Sequence, residues 1–159
     1  MDALHSLVEF NSLKLIASPL DSLPRVFFHT KLLTHTNKSS QRPEYLRQAA
    51  LEMINNIHIE AILIYTDGSK NEIGHTGSGI LLSTIGRKLH VNEEMLTNCS
   101  VFRSEMIAID IALDFVLEYQ VFGEIWILSD SRSVIQYLVN WRDVSDRRGM
   151  DIFNKLRTL

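Results

Sequence analysis

Ala61-Ile62-Leu63-Ile64-Tyr65 is a continuous apolar and β-prone run. Such a run suits a central strand buried on both faces. Gly77 to Leu82 reads as a second strand and Arg87 to Asn92 as a third. Short polar or glycine-containing turns separate the three, as in an antiparallel meander. A helix follows from about Val101 to Tyr119, where Phe102, Met106, Ile109, Leu113 and Val116 form one helical stripe. Glu124 to Leu128 is another strand. Ser131 to Asn140 is a helix with Val134, Ile135, Leu138 and Val139 on its apolar side, and a last helix starts at Arg148. A strand after a crossover helix pairs in parallel. The order β-β-β-α-β-α-α therefore predicts an α/β fold with a mixed sheet: a three-strand antiparallel meander plus a parallel fourth strand, with flanking helices.

The segment before this run reads differently. Residues 1–60 hold all three prolines and four of the six histidines, and their apolar residues are scattered. Pro19, Pro24 and Pro43 break any long helix. Tyr45 to Ile54 can form one short amphipathic helix with Leu46, Ala50 and Met53 on one side. Two parts are expected: a connector or docking arm over 1–60, and a folded domain over 61–159.

Composition removes several function classes. The 159 residues carry a net charge of -3, so bulk positive charge cannot be what holds a nucleic acid. One cysteine, Cys99, excludes an internal disulfide framework and a cysteine-based zinc site. The start of the chain lacks a basic patch, Glu9 and Lys14 interrupt its apolar residues, and no stretch approaches the roughly 18 apolar residues of a membrane helix. The expectation is a soluble protein of the cytoplasm or nucleus.

Three acids carry the chemistry. Asp67 ends the first strand in Tyr65-Thr66-Asp67-Gly68-Ser69; it is either an Asp-Gly turn residue or a carboxylate held at a strand end beside the donors of Gly68 and Ser69. Glu105 lies three residues after Phe102 and four before Ile109, on the apolar stripe of its helix. A helix-dipole role accounts for its place along the helix but not for its facing. A carboxylate turned toward a sheet is costly unless paired or metal-bound. Asp130 follows Ile125-Trp126-Ile127-Leu128-Ser129, just before a helix opens; it is a helix cap or a second sheet-end acid. If the first and fourth strands are neighbours, roughly 5 Å apart, the two aspartates meet and Glu105 arrives from the helix above them. Hard oxygen donors without a basic partner suit Mg²⁺ or Mn²⁺.

Ile64-Tyr65-Thr66-Asp67-Gly68-Ser69, Ser104-Glu105-Met106-Ile107-Ala108-Ile109 and Ser129-Asp130-Ser131-Arg132-Ser133 together resemble a type 1 ribonuclease H domain, of the kind found in non-LTR retrotransposon polyproteins. The resemblance covers roughly residues 61–158. It implies an endonuclease that hydrolyses the RNA strand of RNA–DNA hybrids with two Mg²⁺ ions, Mn²⁺ being an alternative, to leave a 3′-hydroxyl and a 5′-phosphate. It assigns Asp67, Glu105 and Asp130 as catalytic and metal-holding residues. It places the backbone of Gly68 and Ser69 against the substrate, with strands told apart by 2′-hydroxyls and hybrid shape. It also implies a reverse transcriptase partner, toward which residues 1–60 would be the connecting segment.

Two departures stand out. Val101 and Phe102 stand where some members carry paired asparagines. The family continues with a fifth strand, a Trp and His loop and a last helix bearing a fourth acid, all beyond Leu159. Asp143, Asp146 and Asp151 match no motif, and no fourth ligand is assigned. The fourth strand is then expected to be an open sheet edge, prone to self-association. The rival reading is a truncated, inactive retroelement remnant that binds nucleic acid or protein. Of the remaining features, Arg142, Arg147, Arg148, Lys155 and Arg157, with Trp141, are either a substrate handle or a solvated helix face. His75 is either a group approaching the acids or a surface-loop histidine.

Overall fold

Ile62–Lys70 forms one strand of a sheet whose two faces are both covered. The computed structural model describes residues 6–10, 23, 25–29, 43–72, 75–84, 86–95, 99–140 and 143–159. In chain order the elements are β1 (Ser6–Phe10), β2 (Val26–His29), α1 (Pro43–Asn55), β3 (Ile62–Lys70), β4 (Thr76–Thr84), β5 (Arg87–Met95), α2 (Val101–Glu118), β6 (Ile125–Ser129), α3 (Arg132–Val139) and α4 (Arg147–Thr158). Sheet order is β2-β1-β6-β3-β4-β5. β3, β4 and β5 form the antiparallel meander, and β6 joins β3 in parallel. The expected mixed sheet is present, with helices flanking it.

Alternation along the strands divides the interior into two clusters. Ile64, Ile80, Leu82, Ile125 and Ile127 point to the face that α2 covers with Met106, Ile109, Leu113 and Val116. Trp126 and Leu128 point to the other face, where they meet Met53 of α1 and Ala61. Full burial of each such side chain contributes about 1.5–3 kcal/mol. α2 in turn carries α4, whose Ile152, Phe153 and Leu156 complete the first cluster. Arg148 and Lys155 of α4 both reach Asp110 of α2 at 2.6 Å, and Lys155 also reaches Asp114 at 2.6 Å. Two members of the basic stretch are thus spent on helix–helix ion pairs; Trp141 and Arg142 lie outside the described residues.

Three expectations are corrected. The sheet has six strands rather than four, because β1 and β2 come from the segment read as a connector. β6 is therefore not an edge: β1 pairs along it antiparallel from Ser6↔Ser129 to Phe10↔Ile125. β6 therefore offers no open edge for self-association, and the sheet edges among the described residues are β2 and β5. Phe102, expected on the buried stripe, is 38% exposed, because the first turn of α2 overhangs the core; its ring packs edge-on against Tyr137 at 5.5 Å. No helix among the described residues is long and apolar enough to cross a membrane.

Candidate active site

Asp67 does not sit in a turn. β3 runs through it to Lys70, and it pairs with Gly79 of β4. The parallel register places Thr66 beside Ser129, so Asp67, within β3, and Asp130, just past β6, lie side by side. Glu105 arrives from the second turn of α2, whose N-terminus is capped by the Ser100 side chain accepting from the Arg103 amide. A position past the first turn lies beyond the reach of the dipole argument. Glu105 is 3% exposed. Oxygens of Asp67, Glu105 and Asp130 all lie within 4.8 Å of one another. The three acids singled out in the sequence converge on one point.

Two glycines shape this point. A Cβ on Gly68 would lie 2.5 Å from the Glu105 amide nitrogen and 2.8 Å from the Ser104 carbonyl carbon. Only a glycine lets α2 approach β3 so closely. The Gly68 amide then donates to the Glu105 carboxylate. Sequence reasoning missed this packing task, since Asp-Gly is so strong a turn signal. Gly79, opposite Asp67, bears no side chain, and a groove of about 620 Å³ opens beside the aspartate. Asp67, Ser69, His75, Gly77, Gly79 and His90 line it. His75 thus belongs to the groove wall, half-buried, with its amide held by the Asn71 side chain.

The electrostatics is that of a site short of positive charge. Burial, and then the charge of Asp130, raise the Asp67 carboxyl above its usual range. Glu105 is pushed up to about 8, first by burial and then by Asp130; the Gly68 amide opposes the rise. Glu105 Oε2 and Asp130 Oδ1 are buried with no hydrogen-bond partner. Buried polar oxygens are rarely left so. All-carboxylate donors, mutual repulsion and two orphaned oxygens fit a divalent cation.

A carboxyl whose folded-state pKa is raised holds its proton more tightly in the folded chain. Its contribution is favourable below the unfolded value near 4 and is lost as pH rises toward about 8. Metal-free protein is expected to be less stable at pH 8 than at pH 5, and Glu105→Gln should remove that part of the slope. At pH 8 the variant should melt at a higher temperature than wild type. Thermal melts in chelator at both pH values check this; parallel pH profiles for the two proteins would refute it.

The RNase H family profile matches residues 59–157, well over half of the chain. This chain belongs to the RNase H family. A search of curated proteins returned no match. The RNase H match begins two residues before the expected boundary at 61 and takes in β3 through α4, leaving β1, β2 and α1 outside it. Family membership implies a ribonuclease that binds RNA–DNA hybrids and uses divalent metal, and the acid triad of this RNase H domain could hold such an ion.

Proposed function

We propose that this RNase H domain cuts the RNA strand of RNA–DNA hybrids endonucleolytically, with two divalent ions, Mg²⁺ in the first place, held by Asp67, Glu105 and Asp130. The observation that carries the reading is the convergence of three carboxylates within 4.8 Å with two buried oxygens unpartnered. Divalent ions at such a site supply positive charge to the phosphate and lower the pKa of water beside it. The chain's own residues do the rest. The three carboxylates set where that charge sits. The Gly68 amide favours the charged form of Glu105. By the motif resemblance, Ser69, which is exposed on the groove wall, and the backbone around Gly68 would meet the substrate's sugar-phosphate. Hybrids would be told from DNA duplexes by 2′-hydroxyls and groove shape.

Origin in a retrotransposon polyprotein, with a reverse transcriptase as partner, rests on the motif resemblance. On that reading residues 1–60 join polymerase to nuclease while lending two strands to the nuclease sheet. The test is a labelled RNA–DNA hybrid incubated with Mg²⁺ or Mn²⁺, with duplex RNA as control. Hybrid-only, metal-dependent cleavage is expected. A folded sample that binds the hybrid but never cuts it would overturn the enzyme reading in favour of a binding module.

A further inference from the structure

Ser78 and Ser104 are hydroxyls in the middle of the contact between β4 and α2. Ser104 is fully buried and Ser78 is 3% exposed. Ser78 Oγ donates to the Ser104 carbonyl at 2.7 Å, and Ser104 Oγ donates to the Gly77 carbonyl at 2.7 Å. The two hydroxyl oxygens lie 3.4 Å apart. Apolar side chains of similar size would hold helix to sheet at little energetic loss, because paired buried hydroxyls gain little over their hydration. What the hydroxyls add is direction: they fix the roll of the helix as well as its distance.

Their place in the chain gives that direction a use. Both bonds end on the residue immediately before Glu105, or start from it. From the neighbouring strand, Gly68 presses its backbone on the same turn. The turn carrying Glu105 is therefore held at two points, one on β3 and one on β4. The oxygens of Asp67 and Asp130 face Glu105 within 4.8 Å, a spacing that like-charged groups would widen if the helix were free to move. A small roll of α2 would relieve the repulsion and open the cluster.

The geometry points to Ser78 and Ser104 as positioning residues that hold Glu105 in the metal-binding arrangement; this rests on the reading of the acid cluster given above. Ser78 borders the groove, but both hydroxyls are committed to backbone carbonyls of the β4–α2 contact, so their effect on the metal site is through Glu105. Misplacement of a reacting group by about 1 Å can cost around 10²-fold in rate.

The test compares wild type, Ser78→Ala, Ser104→Ala and the double variant by Mn²⁺ titration calorimetry and by hybrid cleavage. The double variant should bind Mn²⁺ at least about tenfold more weakly and lose kcat by about tenfold or more, with KM for the hybrid little changed. In a Glu105→Gln background the serine substitutions should have no further effect on Mn²⁺ affinity. A merely structural role would lower the melting temperature equally in both backgrounds and leave Mn²⁺ affinity alone. If the double variant fails to fold, Ser78→Ala, which keeps the bond from Ser104 to Gly77, carries the comparison. Unchanged Mn²⁺ affinity and kcat in folded variants would overturn the inference while leaving the nuclease reading intact. A wild type that neither binds Mn²⁺ nor cuts would overturn the reading of the cluster itself.

Discussion

Asp130→Asn should lower hybrid cleavage by at least about 10³-fold, equivalent to ~4 kcal/mol of barrier, while the chain still folds. Asp130 is the hub of the cluster: its charge acts on both Asp67 and Glu105. An amide in its place offers a metal one neutral oxygen and removes the charge that draws the ion. The same change removes a repulsion from the metal-free protein, so stability should hold or rise slightly. Loss of catalysis without loss of fold separates a metal ligand from a core residue. Single-turnover cleavage with a parallel thermal melt checks it. A variant within tenfold of wild type would show that Asp130 holds no essential ion.

Gly68→Ala is the second large effect, and it works the other way round: the fold suffers first. The new methyl would meet backbone atoms of Ser104 and Glu105 at 2.5–2.9 Å, and backbone cannot swing aside as a side chain can. Overpacking of this kind costs about 3 kcal/mol or more, which lowers the melting temperature by roughly 6–12 °C. α2 must shift outward, taking Glu105 from its partners, so cleavage should fall in the folded fraction as well. Gly77→Ala is the control. Its Cβ would find only the Ser69 hydroxyl, at 3.6 Å, and should change stability by less than about 0.5 kcal/mol. Equal melting temperatures for the two variants would refute the close-approach argument.

What could be read from sequence follows the range over which each signal acts. The stripe from Met106 to Val116 and the run through Ile64 announce themselves because burial imposes a period on neighbouring residues. The three acids stood out because each broke or ended such a pattern. Asp67-Gly68 misled because a turn signal is local, whereas the demand on Gly68 comes from a helix more than thirty residues away. Ser78 and Ser104 gave no sign of their pairing, since a serine in an apolar pattern looks the same whether bonded or exposed. The strands at Ser6–Phe10 and Val26–His29 were lost for a related reason. Leu7-Val8 and Val26-Phe27-Phe28 are runs too short to stand out in a segment of scattered apolar residues, and what fixes β1 is an edge offered by β6. The Tyr45 to Ile54 helix was legible, as its apolar side repeats within the helix itself.

The placement of β6 also decides the order in which this domain can be put together. β6 lies between β3 and β1, and both of its neighbours precede it in the chain. Val8 pairs with Ile127, so the contact closes a loop of more than a hundred residues. During synthesis β1 and β2 come within reach of each other first, and the β6 side of β3 stays unfilled until Ile125–Ser129 leaves the ribosome. Two-stranded ribbons are marginal in water, and contacts of such long range form slowly. The acid site needs Asp130 at the end of that same strand. Closure of the sheet and assembly of the three carboxylates are therefore one late event, and a nascent chain carries no complete acid cluster before it.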